Sequence, residues 1–270
     1  PDGLRGEKIP LSSPGVGATE NILIAAASAD GETVILNAAR EPEIADLANF
    51  LCSCGAHISG AGSGEITVCG MKKLHSAEHT VIPDRIIAST YMAAAAVTGG
   101  DVRILDTRAE HITPVIPVFE QAGCKVDCGE NSVHISAPVR LRSVQTVRTM
   151  PYPGFPTDSQ AAVMAMLSVA HGTSVMIENI FENRYRHVRE LCRLGADIMT
   201  EGKVAVIKGV ETLTGACVCA ADLRAGTALA VAGLAAQGST TIENVCLIDR
   251  GWQDMEEKLR SLGAEIERES

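Results

Sequence analysis

No stretch of the sequence approaches the roughly 18 consecutive apolar residues that a membrane-spanning helix requires. The opening Pro1-Asp2-Gly3-Leu4-Arg5-Gly6 has no signal-peptide pattern. The expectation is therefore a soluble, unsecreted, cytoplasmic protein with no membrane partner. No CxxC pair occurs among the nine cysteines, and 270 residues are too many for a disulfide-stapled scaffold. Cys52 and Cys54 alternate, as do Cys217 and Cys219, but no histidine stands at ligand spacing beside either pair. Free thiols, no metal and no cofactor are expected. An excess of basic residues is also missing: 23 Lys and Arg face 33 Asp and Glu, a formal charge of −10. That balance argues against a nucleic-acid partner, whose phosphates demand Lys and Arg. An anionic ligand would have to be met by a local cluster of arginines. What is present is a 46% hydrophobic composition, enough to bury the core of one large domain or two ordinary ones.

Internal repetition is the most informative feature. A segment of the form apolar-x-x-x-Gly-Ala-x-Ile recurs at Leu51 to Ile58, Phe119 to Val126, Leu191 to Ile198 and Leu259 to Ile266. Its glycines, Gly55, Gly123, Gly195 and Gly263, lie roughly seventy residues apart. Before each comes a small-residue helical pattern closed by glycine: Ala18 to Gly31, Asp84 to Gly99, Asp158 to Gly172, and Asp222 to Gly238. A β-branched strand follows, as in Thr33-Val34-Ile35-Leu36 or Thr240-Thr241-Ile242. Each unit thus reads helix, strand, helix, strand, strand. Asp158 and Asp222 stand where helix N-caps stand.

Alanine stripes, Ala93 to Ala96 and Ala228 to Ala236 among them, suit helices packed closely in a crowded interior. With sheets outside such helices the result is an inside-out α/β barrel, one of several α/β arrangements that the periodicity allows. The last unit ends after Glu265-Ile266-Glu267-Arg268. Earlier units go on to a further strand at Glu65 to Cys69, Ser132 to Ser136 and Lys203 to Lys208. An open sheet edge, or a strand donated from a segment preceding residue 1, is the expectation.

Five segments appear in this order: Ala38-Ala39-Arg40-Glu41-Pro42-Glu43-Ile44, Phe155-Pro156-Thr157-Asp158, Phe181-Glu182-Asn183-Arg184, Asp222-Leu223-Arg224-Ala225 and Ile248-Asp249-Arg250-Gly251. Together they resemble the signature stretches of the UDP-N-acetylglucosamine enolpyruvyl transferases (1-carboxyvinyltransferases), collinearly over essentially the whole chain. The shikimate-pathway enolpyruvyl transferase shares the repeat architecture but is not similar at these motifs. The resemblance implies two domains of three repeats each, with substrate between them. Residues 1–82 would be the last repeat of the first domain, and 83–270 the second domain without its amino-terminal strand.

The family transfers the enolpyruvyl group of phosphoenolpyruvate to the 3-hydroxyl of UDP-N-acetylglucosamine, releasing phosphate, at the start of peptidoglycan precursor synthesis. By the resemblance, Asp158 is the base at that hydroxyl and Arg250 grips the phosphoenolpyruvate carboxylate, for which a guanidinium fork is suited. Arg224 and Arg184 match further arginines of the cleft, and Asp222 a carboxylate that orients charge or relays a proton. Helix capping competes for both aspartates. Gly15-Val16-Gly17, with Ser13 before it, matches the diphosphate-binding turn at a helix start. Many family members carry a lysine at the Ser13 position and a serine at the Gly15 position. Ile180, followed by Phe181, matches a contact to the nucleotide sugar, with ordinary core as its alternative. Tyr152 replaces a frequent family histidine.

The family's mobile-loop cysteine, an amino-terminal Lys-Asn pair and a further phosphoenolpyruvate-binding arginine have no counterpart here. The resemblance is to the carboxy-terminal part of the family, without roughly its first third. Two readings follow. One is a piece of a transferase, inactive alone and completed by the missing amino-terminal part. The other is a non-catalytic UDP-sugar-binding paralogue or regulatory subunit. The repeat periodicity by itself would also fit a scaffold.

Overall fold

The computed structural model describes residues 3–71 and 73–269. Pro1 and Asp2, part of the opening stretch read above, lie outside the described residues, as do Lys72 and Ser270. The chain divides into two compact units, Pro1–Pro83 with Pro151–Gly154, and Asp84–Met150 with Phe155–Ser270.

The first unit runs β1 (Lys8–Pro10), α1 (Val16–Ala26), β2 (Glu32–Leu36), α2 (Pro42–Ser53), β3 (His57–Ser59) and β4 (Glu65–Cys69). Its sheet has the order β1-β2-β4-β3, with β1 and β2 parallel and the other pairs antiparallel. Parallel neighbours need a crossover, and α1 supplies it. One face of β2 and β4, through Ile35, Ile66 and Val68, packs with Leu23, Ala26, Ile44 and Leu51 of the helices into a closed core.

The second unit begins with α3 (Arg85–Val97), β5 (Asp101–Leu105), α4 (Ala109–Ile112), α5 (Ile116–Gln121), β6 (Lys125–Cys128) and β7 (Ser132–Ser136). Its middle is β8 (Thr146–Arg148), a 3₁₀ turn (Thr157–Ser159), α6 (Gln160–Leu167), β9 (Thr173–Ile177), α7 (Val188–Arg193), β10 (Asp197–Glu201) and β11 (Val204–Lys208). It closes with β12 (Leu213–Thr214), β13 (Cys217–Cys219), α8 (Leu223–Ala235), β14 (Ala236–Gln237), β15 (Thr241–Glu243), α9 (Cys246–Asp249) and α10 (Met255–Ser261). The sheets are β5-β7-β6, β10-β11-β9-β8, β13-β15 and β12-β14.

The helices α3, α6 and α8 pack on one another at the centre of this unit. Every residue of α6 is buried, Gln160-Ala-Ala-Val-Met-Ala-Met-Leu167, so no amphipathic face is needed and none is present. Alanines at Ala93–Ala96 and Ala228–Ala232 allow the close approach. Methionines fill what alanine leaves: Met92, Met164, Met166 and Met176 are each 0% exposed, whereas Met150 and Met199 are 53% and 57% exposed. Helices inside and strands outside is the arrangement that the alanine stripes suggest.

The glycines of the repeated motif end the second helix of each unit. Gly55, Gly123, Gly195 and Gly263 have φ of +100°, +98°, +94° and +99°. The amide after each donates to the carbonyl five residues back: Ala56 to Leu51, Cys124 to Phe119, Ala196 to Leu191 and Ala264 to Leu259, at 3.0, 3.0, 3.1 and 3.0 Å. This is the Schellman closure, which satisfies a carbonyl at the helix end. A second repeated device follows β4 and β11. Gly70 donates to Gly31 and Gly209 to Gly172, and a Cβ at either would lie 1.8 or 1.5 Å from the carbonyl oxygen of Ala29 or Ala170.

The structure departs from the sequence reading in three places. Each of the sheets β1-β2-β4-β3, β10-β11-β9-β8 and β13-β15 contains a short leading strand, β1, β8 or β13, parallel to the strand after the helix. The second helix is broken in the repeat beginning at α3, where Pro114 lies between α4 and α5 and Pro117 sits in the first turn of α5. Residues 264–269 form no strand. A lone strand cannot satisfy its own backbone groups, and no neighbour pairs with residues 265–268 among the described residues.

Candidate active site

Asp158 lies in the 3₁₀ turn ahead of α6, and its carboxylate makes no helix-capping bond. Instead it bonds two guanidinium groups, Arg184 Nη2 through Oδ1 and Arg224 Nη2 at 2.9 Å through Oδ2. Its side chain remains 39% exposed against 19% and 20% for the arginines, so a ligand can still reach the carboxylate. Arg224 occupies the first turn of α8, where the helix dipole opposes a cation. The bond to Asp158 offsets that cost and fixes the guanidinium between the two elements.

Asp222 does cap. Its Oδ1 accepts the Ala225 amide at 2.8 Å from an extended backbone, which fixes the start of α8 and with it Arg224. Asp222→Ala should lower stability by about 1 kcal/mol, as loss of an N-cap does. Urea unfolding followed by the fluorescence of Trp252, the sole tryptophan and 4% exposed in the second unit, measures this.

Ile180 and Phe181 are not core. They are 38% and 49% exposed, and the Arg184 guanidinium lies 5.0 Å from the Phe181 ring centroid, a cation–π distance. Arg250 is exposed at the end of α9, where its amide donates to the Ile248 carbonyl, and its guanidinium has no hydrogen-bonding or ionic partner among the described residues. The structure thus brings Asp158, Arg184, Arg224 and Phe181 into one cluster. Asp222 supports it, and Arg250 stands outside the bonded network.

In the first unit, Gly15 is the N-cap residue of α1 and its amide turns back to Ser13 at 2.8 Å. The free amides at the start of the helix follow, at Val16 and Gly17. A Cβ at Gly17 would meet nothing within 4 Å, so open space lies beside this turn. Thr19, fully buried, braces it by donating to the Gly15 carbonyl at 2.9 Å and accepting from the Ala39 amide at 3.0 Å. Ala39 belongs to the motif of residues 38–44. A cavity of about 450 Å³ in this unit, lined by Cys52, Gly55, His57, Ile58, Thr67 and Cys69, contains none of the candidate residues. Among the described residues no three His, Cys, Asp or Glu side chains converge as metal ligands, and no helix is long and apolar enough to cross a membrane.

Two groups near the cluster escaped the sequence reading. Glu178, 1% exposed, follows β9 and accepts bonds from Thr149 and Thr157. Its signal was a carboxylate directly after the apolar strand segment 175–177. His187, 2% exposed, places Nε2 3.3 Å from Met164 Sδ. Burial holds its pKa down at about 4 despite the nearby Asp222, and Arg184 pushes the same way as burial. The imidazole is therefore neutral in the folded protein, while the unfolded chain takes up a proton near pH 6.5. Between those values the unfolded state binds more protons, so stability should fall by about 2–3 kcal/mol as pH drops from 6.5 to 4. Urea unfolding of wild type and His187→Asn across that range should show the slope in the former and its loss in the latter.

Residues 2–259 match the EPSP synthase (3-phosphoshikimate 1-carboxyvinyltransferase) family. UDP-N-acetylglucosamine 1-carboxyvinyltransferase 2 of Caldanaerobacter subterraneus subsp. tengcongensis is 51% identical over 265 residues, 98% of this chain and 64% of that protein. UDP-N-acetylglucosamine 1-carboxyvinyltransferase of Finegoldia magna is 50% identical over 269 residues, 99% of this chain and 63% of that protein. The chain therefore spans less than two thirds of these relatives. Among solved structures, the enolpyruvyl transferase NikO from Streptomyces tendae superposes with a TM-score of 0.89 at 27% identity, covering 98% of this chain and 66% of that one. EPSP synthase from Acinetobacter baumannii shares the fold, with a TM-score of 0.75 at 22% identity over 98% of this chain and 64% of that one. The α/β fold is that of the enolpyruvyl transferases. The chain belongs to the EPSP synthase (3-phosphoshikimate 1-carboxyvinyltransferase) family, and within it is similar to the UDP-N-acetylglucosamine 1-carboxyvinyltransferases.

Proposed function

We propose that this chain forms the larger part of a cytoplasmic 1-carboxyvinyltransferase that moves the enolpyruvyl group of phosphoenolpyruvate to the 3-hydroxyl of UDP-N-acetylglucosamine, releasing phosphate for peptidoglycan precursor synthesis. One observation carries the reading: Asp158 spends its carboxylate on Arg184 and Arg224 rather than on the helix it precedes, and keeps an open side. A carboxylate beside fixed cations suits a reaction that removes a hydroxyl proton and expels an anion.

In this reading Asp158 takes the proton of the 3-hydroxyl, and the oxygen then bonds to the carbon of phosphoenolpyruvate that carries the phosphate. The methylene carbon gains a proton and loses one again as phosphate departs. Arg250, with its donors unspent, holds the substrate carboxylate, and Arg224 and Arg184 stabilise the charge on the leaving phosphate. Asp222 fixes the helix that presents Arg224. Ser13, Gly15, Val16 and Gly17 serve the diphosphate through main-chain amides. Ile180 and Phe181 offer an apolar seat to the nucleotide sugar. Residues 1–82 are assigned to the last repeat of a first domain and 83–270 to a second.

The test is titration of the chain with UDP-N-acetylglucosamine, together with phosphate release from phosphoenolpyruvate. Binding without turnover by the chain alone, and turnover once it is joined to the remaining third of a relative such as that of C. subterraneus, is the expected result. Binding with no rescue would favour a non-catalytic UDP-sugar binder. Absence of binding would remove the reading.

A further inference from the structure

Glu178 is a buried carboxylate with no guanidinium or ammonium partner among the described residues. A carboxylate withdrawn from water without a counter-ion is costly unless every acceptor site is used. Here they are used. Oε1 accepts the Thr149 hydroxyl at 2.9 Å and the amides of Ile180 and Phe181 at 2.8 and 3.0 Å, and Oε2 accepts the Thr157 hydroxyl at 2.9 Å. Its own amide is tied to the Lys203 carbonyl at 2.8 Å, which anchors the residue to β11's approach.

These donors come from three separate segments. Thr149 follows β8 and is itself fully buried, accepting the Asn179 amide at 2.8 Å. Thr157 directly precedes Asp158. Ile180 and Phe181 begin the loop that ends in Arg184. One carboxylate thus fastens both chain segments whose side chains meet in the Asp158–Arg184 pair. A turn at residues 179–181 would need at most one neutral side-chain acceptor, such as serine or asparagine, to close it. A fourfold-bonded buried charge does more, because it fixes the turn and the Asp158 segment relative to each other.

We propose that Glu178 is a positioning residue, holding the Asp158 segment and the 180–184 loop in the one geometry in which base, arginine and nucleotide-sugar seat are used together. The proposal rests on the functional reading above for its ligand, but its geometric part does not.

The test uses the 270-residue chain, wild type and carrying Glu178→Gln, Thr157→Val or Thr157→Ser. Glutamine presents a donor where a donor must be received, valine removes one hydroxyl without changing shape, and serine restores it. Two quantities are read: affinity for UDP-N-acetylglucosamine by calorimetry, and the NMR splitting of the Arg184 Nη resonances, which reports whether its guanidinium is held. The expected result is an affinity loss of roughly tenfold or more for Glu178→Gln, from the value of hydrogen bonds to a charged group. Arg184 splitting should collapse with it, Thr157→Val should show a smaller loss of both, and Thr157→Ser should match wild type. If wild type binds and both quantities stay unchanged in Glu178→Gln and Thr157→Val, the positioning role is overturned while the functional reading survives. If wild type does not bind, the functional reading fails and the Arg184 signal alone decides. Collapse in Thr157→Val with rescue in Thr157→Ser upholds the positioning role, and an unchanged signal overturns it. Should Glu178→Gln not fold, the threonine pair carries the same decision.

Discussion

Asp158→Asn is expected to lower turnover of the complete transferase about a thousandfold, the scale of a lost general base. Asparagine keeps the size of the side chain and one acceptor oxygen, so one of Arg184 and Arg224 keeps its hydrogen bond, the other faces an amide NH2, and the proton acceptor is gone. Affinity for UDP-N-acetylglucosamine should change far less than the chemical step. Single-turnover phosphate release, alongside equilibrium binding, separates the two. A variant that keeps more than about a tenth of wild-type turnover, outside the span of base removal, would take Asp158 out of the base role and leave it as an anchor for the two arginines.

Gly209→Ala should cost about 3 kcal/mol or more, at the upper end of overpacking effects. The added Cβ would sit 1.5 Å from the Ala170 carbonyl oxygen, 2.6 Å from its carbon and 3.0 Å from its nitrogen. All three are backbone atoms, so no side chain can swing away. Relief would require the exit of β11 to leave the turn after α6, breaking the Gly209 bond to Gly172 and straining the next bond, from Val210 to Ser168. Urea unfolding monitored at Trp252 reads the loss. Gly233→Ala, in α8 of the same unit and with no atom nearer than 3.4 Å to the new one, should change stability by less than about 1 kcal/mol and serves as the comparison. Equal effects from the two would disprove the steric argument.

Much of the local structure was written in the repeated segments. The leucine-to-glycine spacing of residues 51–56 and 191–196 encodes a helix end because only a glycine comfortably turns left-handed there. The alanine stripes announced the central helices, since small side chains in unbroken runs leave no polar face. The leading strands were hidden for the opposite reason. Thr146–Arg148 has three residues, alternates weakly, and becomes a strand only by pairing with Val175 to Ile177, which follow it across a helix. Residues 265–268 looked like a strand and are not one, because strand identity belongs to the pair and not to the segment.

The site divides in the same way. Arg184, Arg224 and Asp158 were legible as members of motifs, but no spacing stated that one carboxylate would bridge both arginines. Asp222 gave its capping role plainly, standing just before a helical pattern. Glu178 and His187 were illegible because their importance lies in burial and in partners 21 to 29 residues away for the first and 23 for the second.

The central methionines give the second unit an internal chemical clock. A thioether at zero exposure is attacked by peroxide only during an opening that admits solvent, so sulfoxide formation at Met92, Met164, Met166 and Met176 is gated by that opening. Met150 and Met199 should oxidise at the rate of free methionine and calibrate the reagent. The ratio of the two rates, read peptide by peptide in a mass spectrometer, converts directly into the free energy of exposing the helix trio. It would also reveal whether α3 and α6 open together or one at a time.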